Sequence, residues 1–232
     1  MRAAVVIPVF NEREPLPLVV GAIPRERVGE IVVVDNGSTD GTPLVARDLP
    51  VRLVREDRRG YGSACLAGIA ALTASPPDVV VFLDGDFSDH PEEMPALLDA
   101  IAAGADLVIG SRARGRREPG ALLPQARFGN ALACFLIDRI FGHRFTDLGP
   151  FRAIRWDALT ALGMEDRTFG WTVEMQVKAV RQGLAIAEVP VSYRRRIGVS
   201  KITGTVSGTV KAGAKILWTI ARYGVARKKT AP

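Results

Sequence analysis

The chain has 232 residues, 47% of them hydrophobic, enough to bury one sizeable core, and a single globular body is expected. Only Cys65 and Cys134 occur, both among small or apolar neighbours, which excludes a disulfide framework and a Cys-based zinc site. Thirty-one Lys and Arg against 25 Asp and Glu leave a formal net charge of +6, bunched at RARGRR (112–117), RRR (194–196) and RKK (227–229). Such clusters are either a solvated face or the footprint of an anionic partner: nucleic acid, a membrane or a phosphorylated substrate. The opening MRAAVVIPVFNE turns polar too soon for a signal peptide, and no run approaches the roughly 18 apolar residues a spanning helix needs, so a cytoplasmic setting is expected.

AAVVIPV (3–9) reads as a buried strand, and EREPLPLVVGAI as a short helix with prolines near its start. EIVVVDNGSTDGT (30–42) is a second strand closing in a Gly, Ser and Asp turn. VRLVRED (51–57) is a third, followed by a small-residue helix in GYGSACLAGIAALTA. DVVVFLDGD (78–86) is the fourth strand. HPEEMPALLDAIAAG is a helix whose first turn carries Pro91, Glu92 and Glu93, as the helix dipole favours. ADLVIGSR (105–112) supplies a fifth. Continuously apolar strands alternating with helices predict an α/β fold: a mostly parallel sheet covered on both faces. Beyond 112 the rhythm changes. A basic loop precedes an amphipathic helix, ALLPQARFGNALACFLIDRIFG, then comes FTDLGPFRAIRW, a helix near 170–183, an edge strand in IAEVPVSY and a basic amphipathic tail from 206. The predicted organisation is one body in three stretches, 1–112, 113–205 and the tail over 206–232.

In parallel α/β sheets the ligand lies beyond the carboxyl ends of the strands, which here carry PVFNE, VVDNGSTDGT and FLDGDFSD. If the fourth strand stays extended through Gly85, Asp84 and Asp86 project to one side. Two adjacent carboxylates without His or Cys neighbours suit magnesium, which protein commonly holds through one or two carboxylates while substrate phosphates complete its shell. Asp89 is read as a helix cap, and Asp35 either holds a nucleoside or closes an Asx-type turn. Gly60 and Gly62 either offer amides to phosphate or permit close packing. His90 and His143 stand alone. A dinucleotide-binding dehydrogenase and a P-loop NTPase are excluded, because neither G-x-G-x-x-G nor G-x-x-x-x-G-K-[ST] is present.

The motifs VVIPVFNE, IVVVDNGSTDGT, VVFLDGDFSDHPEEMPALL, ADLVIGSR, DLGPFRAI, GWTVEMQVKA and VPVSYRRRIGVSKITGT, in that order across 3–205, resemble the family-2 glycosyltransferases of GT-A fold. The resemblance is to the branch of dolichyl-phosphate mannose synthases and bacterial polyprenyl-phosphate glycosyltransferases. It implies a nucleoside-diphosphate-sugar donor (a UDP- or GDP-hexose), magnesium or manganese, and transfer with inversion. It also implies that the stretch 1–112 binds the nucleotide-sugar and that 113–205 faces the acceptor. Carried over, Pro8, Glu12 and Asp35 hold the nucleoside, Asp84 lies near ribose or metal, and Asp86 is the principal metal ligand. Arg196, Ser200 and Lys201 clasp the diphosphate; Ser111 and Arg112 border the acceptor. Where the mannose synthases read D-x-D-x-Q, this chain has Ser88 followed by Asp89.

Charge builds on the outer phosphate as the nucleotide leaves, so Asp86 through a metal, with Arg196 and Lys201, is expected to meet it. A hydroxyl acceptor needs a base, for which Asp147 is the candidate, unless Asp147 instead orients Arg152. A phosphate monoester, already ionised at neutral pH, needs cations such as Arg112, Arg114, Arg116 and Arg117. Glu174 either touches the acceptor or makes a structural salt bridge. Phe128, Leu132, Phe135, Leu136 and Ile140 can form one apolar side, and Val206, Val210, Leu217 and Ile220 another. Both are expected to face the core, with an anionic membrane presenting a polyprenyl phosphate as the alternative. The rival expectations are a soluble or glycan acceptor and a non-catalytic binding module; nucleic acid is not expected, since basic and aromatic residues are not interleaved.

Overall fold

The computed structural model of the chain describes residues 1–198 and 206–228, with side chains described in 1–198 and 211–225. One seven-stranded sheet runs through it in the order β3-β2-β1-β4-β6-β5-β7. β1 (Ala3–Val9) lies between β2 (Val28–Asp35) and β4 (Val79–Phe82), parallel to both, and β3 (Arg52–Arg55) extends the sheet beyond β2. β6 (Arg152–Arg155) is antiparallel to β4 and to β5 (Leu107–Ser111), and β7 (Ile186–Pro190) is parallel to β5 at the other edge.

The predicted strands and the edge position of β7 are present. β6 is the strand the sequence concealed. Its RAIR brackets two apolar residues with arginines, yet Arg152 is fully buried, because its guanidinium donates to the carbonyls of Leu148, Gly149 and Thr172. A buried cation is tolerated when its donors are satisfied. Burial pulls the Arg152 pKa down to about 10.

Alternation along the central strands divides the core in two. Val6, Val32, Val34, Val80 and Phe82 meet α3 (Tyr61–Leu72), α5 (Pro124–Phe141), α6 (Trp156–Leu162) and α7 (Trp171–Arg181) on one face. On the other, Val5, Ile7, Val33, Val79 and Val81 meet α1 (Leu16–Ala22), α2 (Thr42–Arg47) and α4 (Met94–Ala102). A last helix, α8 (Val206–Lys228), adds Ile220 to the first core.

Two expectations about amphipathic faces need correction. On α5 the buried residues are Ala133, Cys134, Ile137 and Phe141, whereas Phe128 and Phe135 are 72% and 54% exposed. The helix is rotated so that part of the expected apolar side faces outward. On α8, Ile220 is buried but Leu217 is 40% exposed; the side chains of Val206 and Val210 lie outside those described. No helix among the described residues is long and apolar enough to cross a membrane.

Candidate active site

The carboxyl ends of β1, β2 and β4 enclose a cavity of about 550 Å³. β1 and β2 finish level, Val9 opposite Asp35, while β4 ends at Phe82 beside Val6. The chain therefore leaves the ladder before Gly85, contrary to the extended path expected, and the turn at 85–86 passes beside Pro8 and Val9. A Cβ on Gly85 would come within 2.7 Å of the Val9 side chain, so that passage requires glycine. Both Asp84 and Asp86 nonetheless line the cavity, with Pro8, Glu12 and Arg196.

Asp35 does not line it. One of its oxygens accepts the Ser38 N–H at 3.0 Å, the Asx-type turn of the alternative reading, and the neighbouring Asn36 faces the cavity instead. Gly60 also lines it, and the other walls went unnamed in the sequence reading: Phe10, Arg59, Tyr61, Thr168 and Phe169. Arg59 lies 3.9 Å over the Phe10 ring and donates to the Asn36 carbonyl at 2.9 Å. Gly60 and Gly62 serve packing. A Cβ on either would stand 2.0 Å from the carbonyl oxygen of Arg167 or Asp166.

The acids differ in how they are held. Asp86 accepts Ser88 N–H at 2.9 Å and pairs with Arg196 at 3.1 Å, and Arg196 also reaches Glu12 at 3.3 Å. Asp84 has a buried oxygen with no hydrogen-bond partner, and burial with the adjacent Asp86 charge lifts its pKa to about 7. Asp89 is 1% exposed, and neither carboxylate oxygen has a hydrogen-bond partner. The helical turn after it carries no side-chain cap, which removes the capping role expected of Asp89. Burial and Asp84 push its pKa well up. An oxygen-only pair, Asp84 with one oxygen unsatisfied and Asp86 beside it, fits a hard divalent cation completed by phosphate oxygens. Among the described residues no three His, Cys, Asp or Glu are grouped to hold a metal by themselves.

The other side of the site is saturated. Asp147 is 1% exposed, and its carboxylate takes Arg112 Nε at 2.8 Å, Nη2 at 2.7 Å and the Arg112 backbone N–H at 2.7 Å. Burial would raise its pKa, but Arg112 outweighs that and holds it below the usual range. Its partner is thus Arg112, not Arg152. Ser111 is fully buried against the Thr146 hydroxyl at 2.6 Å. Glu174, also 1% exposed, accepts the N–H of Asp166 at 2.7 Å and the Tyr223 hydroxyl at 2.9 Å, and pairs with Lys178 at 2.8 Å. Ser111 and Glu174 line neither this cavity nor the second one, of about 420 Å³, which Arg117, Leu122, Pro124, Arg127, Phe128 and Asp147 help to form. Ser200 and Lys201 lie outside the described residues.

Residues 4–162 match the model of "Glycosyl transferase family 2". The chain belongs to that family. This family-2 glycosyltransferase is 38% identical over 212 residues to an uncharacterised glycosyltransferase of Mycobacterium tuberculosis, covering 90% of this chain and 93% of the relative. It is 36% identical over 245 aligned residues to the undecaprenyl-phosphate mannosyltransferase of Micrococcus luteus, covering 98% and 96%. Glucosyl-3-phosphoglycerate synthase from Mycobacterium tuberculosis, crystallised with Mn2+, UDP-glucose and phosphoglyceric acid, superposes with a TM-score of 0.77 at 24% identity, covering 96% of this chain and 79% of that one. That likeness establishes the shared GT-A architecture of the glycosyltransferase.

Proposed function

We propose that this glycosyltransferase moves a hexose from a nucleoside diphosphate to a polyprenyl phosphate, with inversion. The observation that carries the reading is the clamp on Asp147. The acid beside the second cavity is held in three hydrogen bonds by Arg112, with its pKa lowered, so it is a poor proton acceptor. A hydroxyl acceptor would want such a base; a phosphate monoester, with a second pKa of about 6, arrives ionised.

Asp84 and Asp86 are the residues that would hold a magnesium or manganese ion with the donor phosphates. When bound, the ion supplies positive charge against the departing diphosphate. Arg196, now on Glu12 and Asp86, sits where it can turn to the same phosphates. An acceptor phosphate oxygen attacks the anomeric carbon, the bond from that carbon to the diphosphate oxygen breaks, and no proton moves. In the second cavity Arg117 and Arg127 suit the acceptor phosphate, and Leu122, Pro124 and Phe128 the start of its chain. The relatives from Micrococcus luteus and Mycolicibacterium smegmatis, named undecaprenyl-phosphate mannosyltransferase and polyprenol monophosphomannose synthase, support this acceptor class.

Phe128 and Phe135, one heptad apart and exposed beside Arg127 and Arg139, suit a peripheral contact with anionic lipid headgroups at a cytoplasmic membrane face. Incubation with labelled UDP- and GDP-hexoses, manganese and undecaprenyl phosphate tests the reading. Label should pass into the organic phase only when the lipid phosphate is added; equal transfer to a soluble acceptor without it would overturn the acceptor assignment.

A further inference from the structure

The wall of the donor cavity formed by Thr168 and Phe169 belongs to a loop that α8 holds from behind, and we propose that Lys215 and Tyr223 of α8 are positioning residues for the donor. This rests on reading the 550 Å³ cavity as the donor site. Both the loop and the helix lie beyond residue 162, where the family match ends.

The loop is fixed on three sides. In front it presses on the start of α3, where Ser63 N–H donates to the Arg167 carbonyl at 3.0 Å and glycine at 60 and 62 leaves room for the loop backbone. Within the loop, Asp166 Oδ1 accepts the Thr168 N–H at 2.7 Å and its hydroxyl at 3.0 Å, so the Asp166 carboxylate sets the cavity-lining residue directly. From behind, Lys215 Nζ reaches the other Asp166 oxygen at 2.8 Å. Burial would raise the Asp166 pKa, but Lys215 and Thr168 hold it below the usual range.

A second tie runs through Glu174. Its carboxylate collects the Glu165 and Asp166 N–H groups and, from α8, the Tyr223 hydroxyl. Arg222 meets Glu165 at 3.5 Å, and Thr219, 2% exposed, lies so near Gly170 that a Cβ there would stand 2.7 Å from its hydroxyl. Positions 215, 219, 222 and 223 recur at i, i+4, i+7 and i+8 and so form one helix face. That face bears on residues 165–170, while Tyr223 also packs against Lys178 and Arg181 of α7. Two charge-assisted contacts converge on Asp166, Lys215 on its carboxylate and Glu174 on its backbone N–H, an arrangement that sets geometry where uniform packing would only add stability.

The test is a titration of wild type, Lys215→Met, Lys215→Arg and Tyr223→Phe with UDP–Mn2+ and, in parallel, GDP–Mn2+, beside thermal unfolding of each without ligand. Whichever nucleotide binds wild type should bind Lys215→Met about tenfold and Tyr223→Phe about threefold more weakly, the scale of a lost ion pair and of one lost hydrogen bond to a carboxylate that keeps its other donors. Lys215→Arg should restore wild-type affinity. In turnover the Met variant should show a raised donor KM with kcat little changed. Unaltered affinity in folded Lys215→Met and Tyr223→Phe overturns the inference, as does a loss that follows the fall in melting temperature without rescue by Arg. Wild type binding neither nucleotide overturns the donor reading beneath it.

Discussion

The two ends of the site use the same residue types to opposite effect. At the strand ends of β1 and β4, Asp84 and Asp89 have oxygens without partners, and Asp86 shares one arginine with Glu12. Beyond residue 112, Asp147 and Glu174 are equally buried but fully engaged by Arg112, Lys178, Tyr223 and backbone N–H groups. Burial alone therefore does not mark a working acid. An acid left short of donors awaits a cation or a proton, whereas one saturated by the chain is scaffold, because unsatisfied buried charge is costly in the folded state.

The sharpest way to break that contrast is to remove one acid from each end. Asp86→Asn should leave a folded protein and lower turnover about a thousandfold with any acceptor, on the scale of lost electrostatic stabilisation of a leaving group. Label transfer within tenfold of wild type would dissolve the distinction on the donor side. Asp147→Asn should act elsewhere. Stripping one partner from a buried pair strands Arg112 and costs about 3 kcal/mol of stability, while turnover per folded molecule on a lipid phosphate falls less than tenfold. A general base would instead lose about 100-fold or more and change the pH–rate profile. Denaturant unfolding together with kcat on the same preparation separates the two.

A milder change probes the exposed side of α5. The change Phe135→Ser removes an outward aromatic ring that does not line the second cavity, without touching the buried Ala133, Cys134, Ile137 and Phe141. Turnover on undecaprenyl phosphate in anionic vesicles should drop about tenfold, in keeping with lost interfacial burial, and turnover on a short water-soluble prenyl phosphate should not. An equal drop on both acceptors would assign the Phe135 ring to the acceptor pocket rather than to a lipid surface.

The half before residue 112 was legible because its polar residues follow a simple signal. Continuous apolar runs fixed β1, β2 and β4, and polar residues directly after them had to gather at one edge of a parallel sheet. The limits were local. Which of Asp35 and Asn36 faces the cavity depends on how the strand turns after its last ladder bond, and Thr168 and Phe169 arrive from a loop about 80 residues beyond the acid pair. The half beyond residue 112 resisted because its acids are defined by partners remote in sequence. Asp147 meets Arg112 from 35 residues away and Glu174 meets Tyr223 from 49. β6 was hidden for the same reason: nothing in RAIR announces that Arg152 will find carbonyls from Leu148, Gly149 and Thr172. Local pattern specifies strands; only the assembled fold says which charges are met.

A variant that leaves the contacts of the fold in place tests the same contrast through stability alone. Asp89 has a folded pKa raised by burial and by Asp84, while in the unfolded chain it titrates near the ordinary value of about 3.9. Folding therefore favours the protonated form, and the stability linked to it is complete at low pH and is lost as pH rises toward the folded pKa. Asp89→Asn cannot ionise and escapes that loss. In metal-free protein the variant should gain on wild type by up to about 1.4 kcal/mol for each pH unit above about 4, until the folded pKa is passed. Asp147 has the opposite sign. Its lowered pKa lends stability above about 4 that disappears only in stronger acid, so Asp147→Asn should be destabilised throughout the neutral range. Unfolding curves of wild type and Asp89→Asn from pH 4.5 to 7.5 decide the matter. A gap that widens with pH identifies Asp89 as an uncompensated acid of the donor side, and a gap that stays constant means that some donor in the fold already meets its charge.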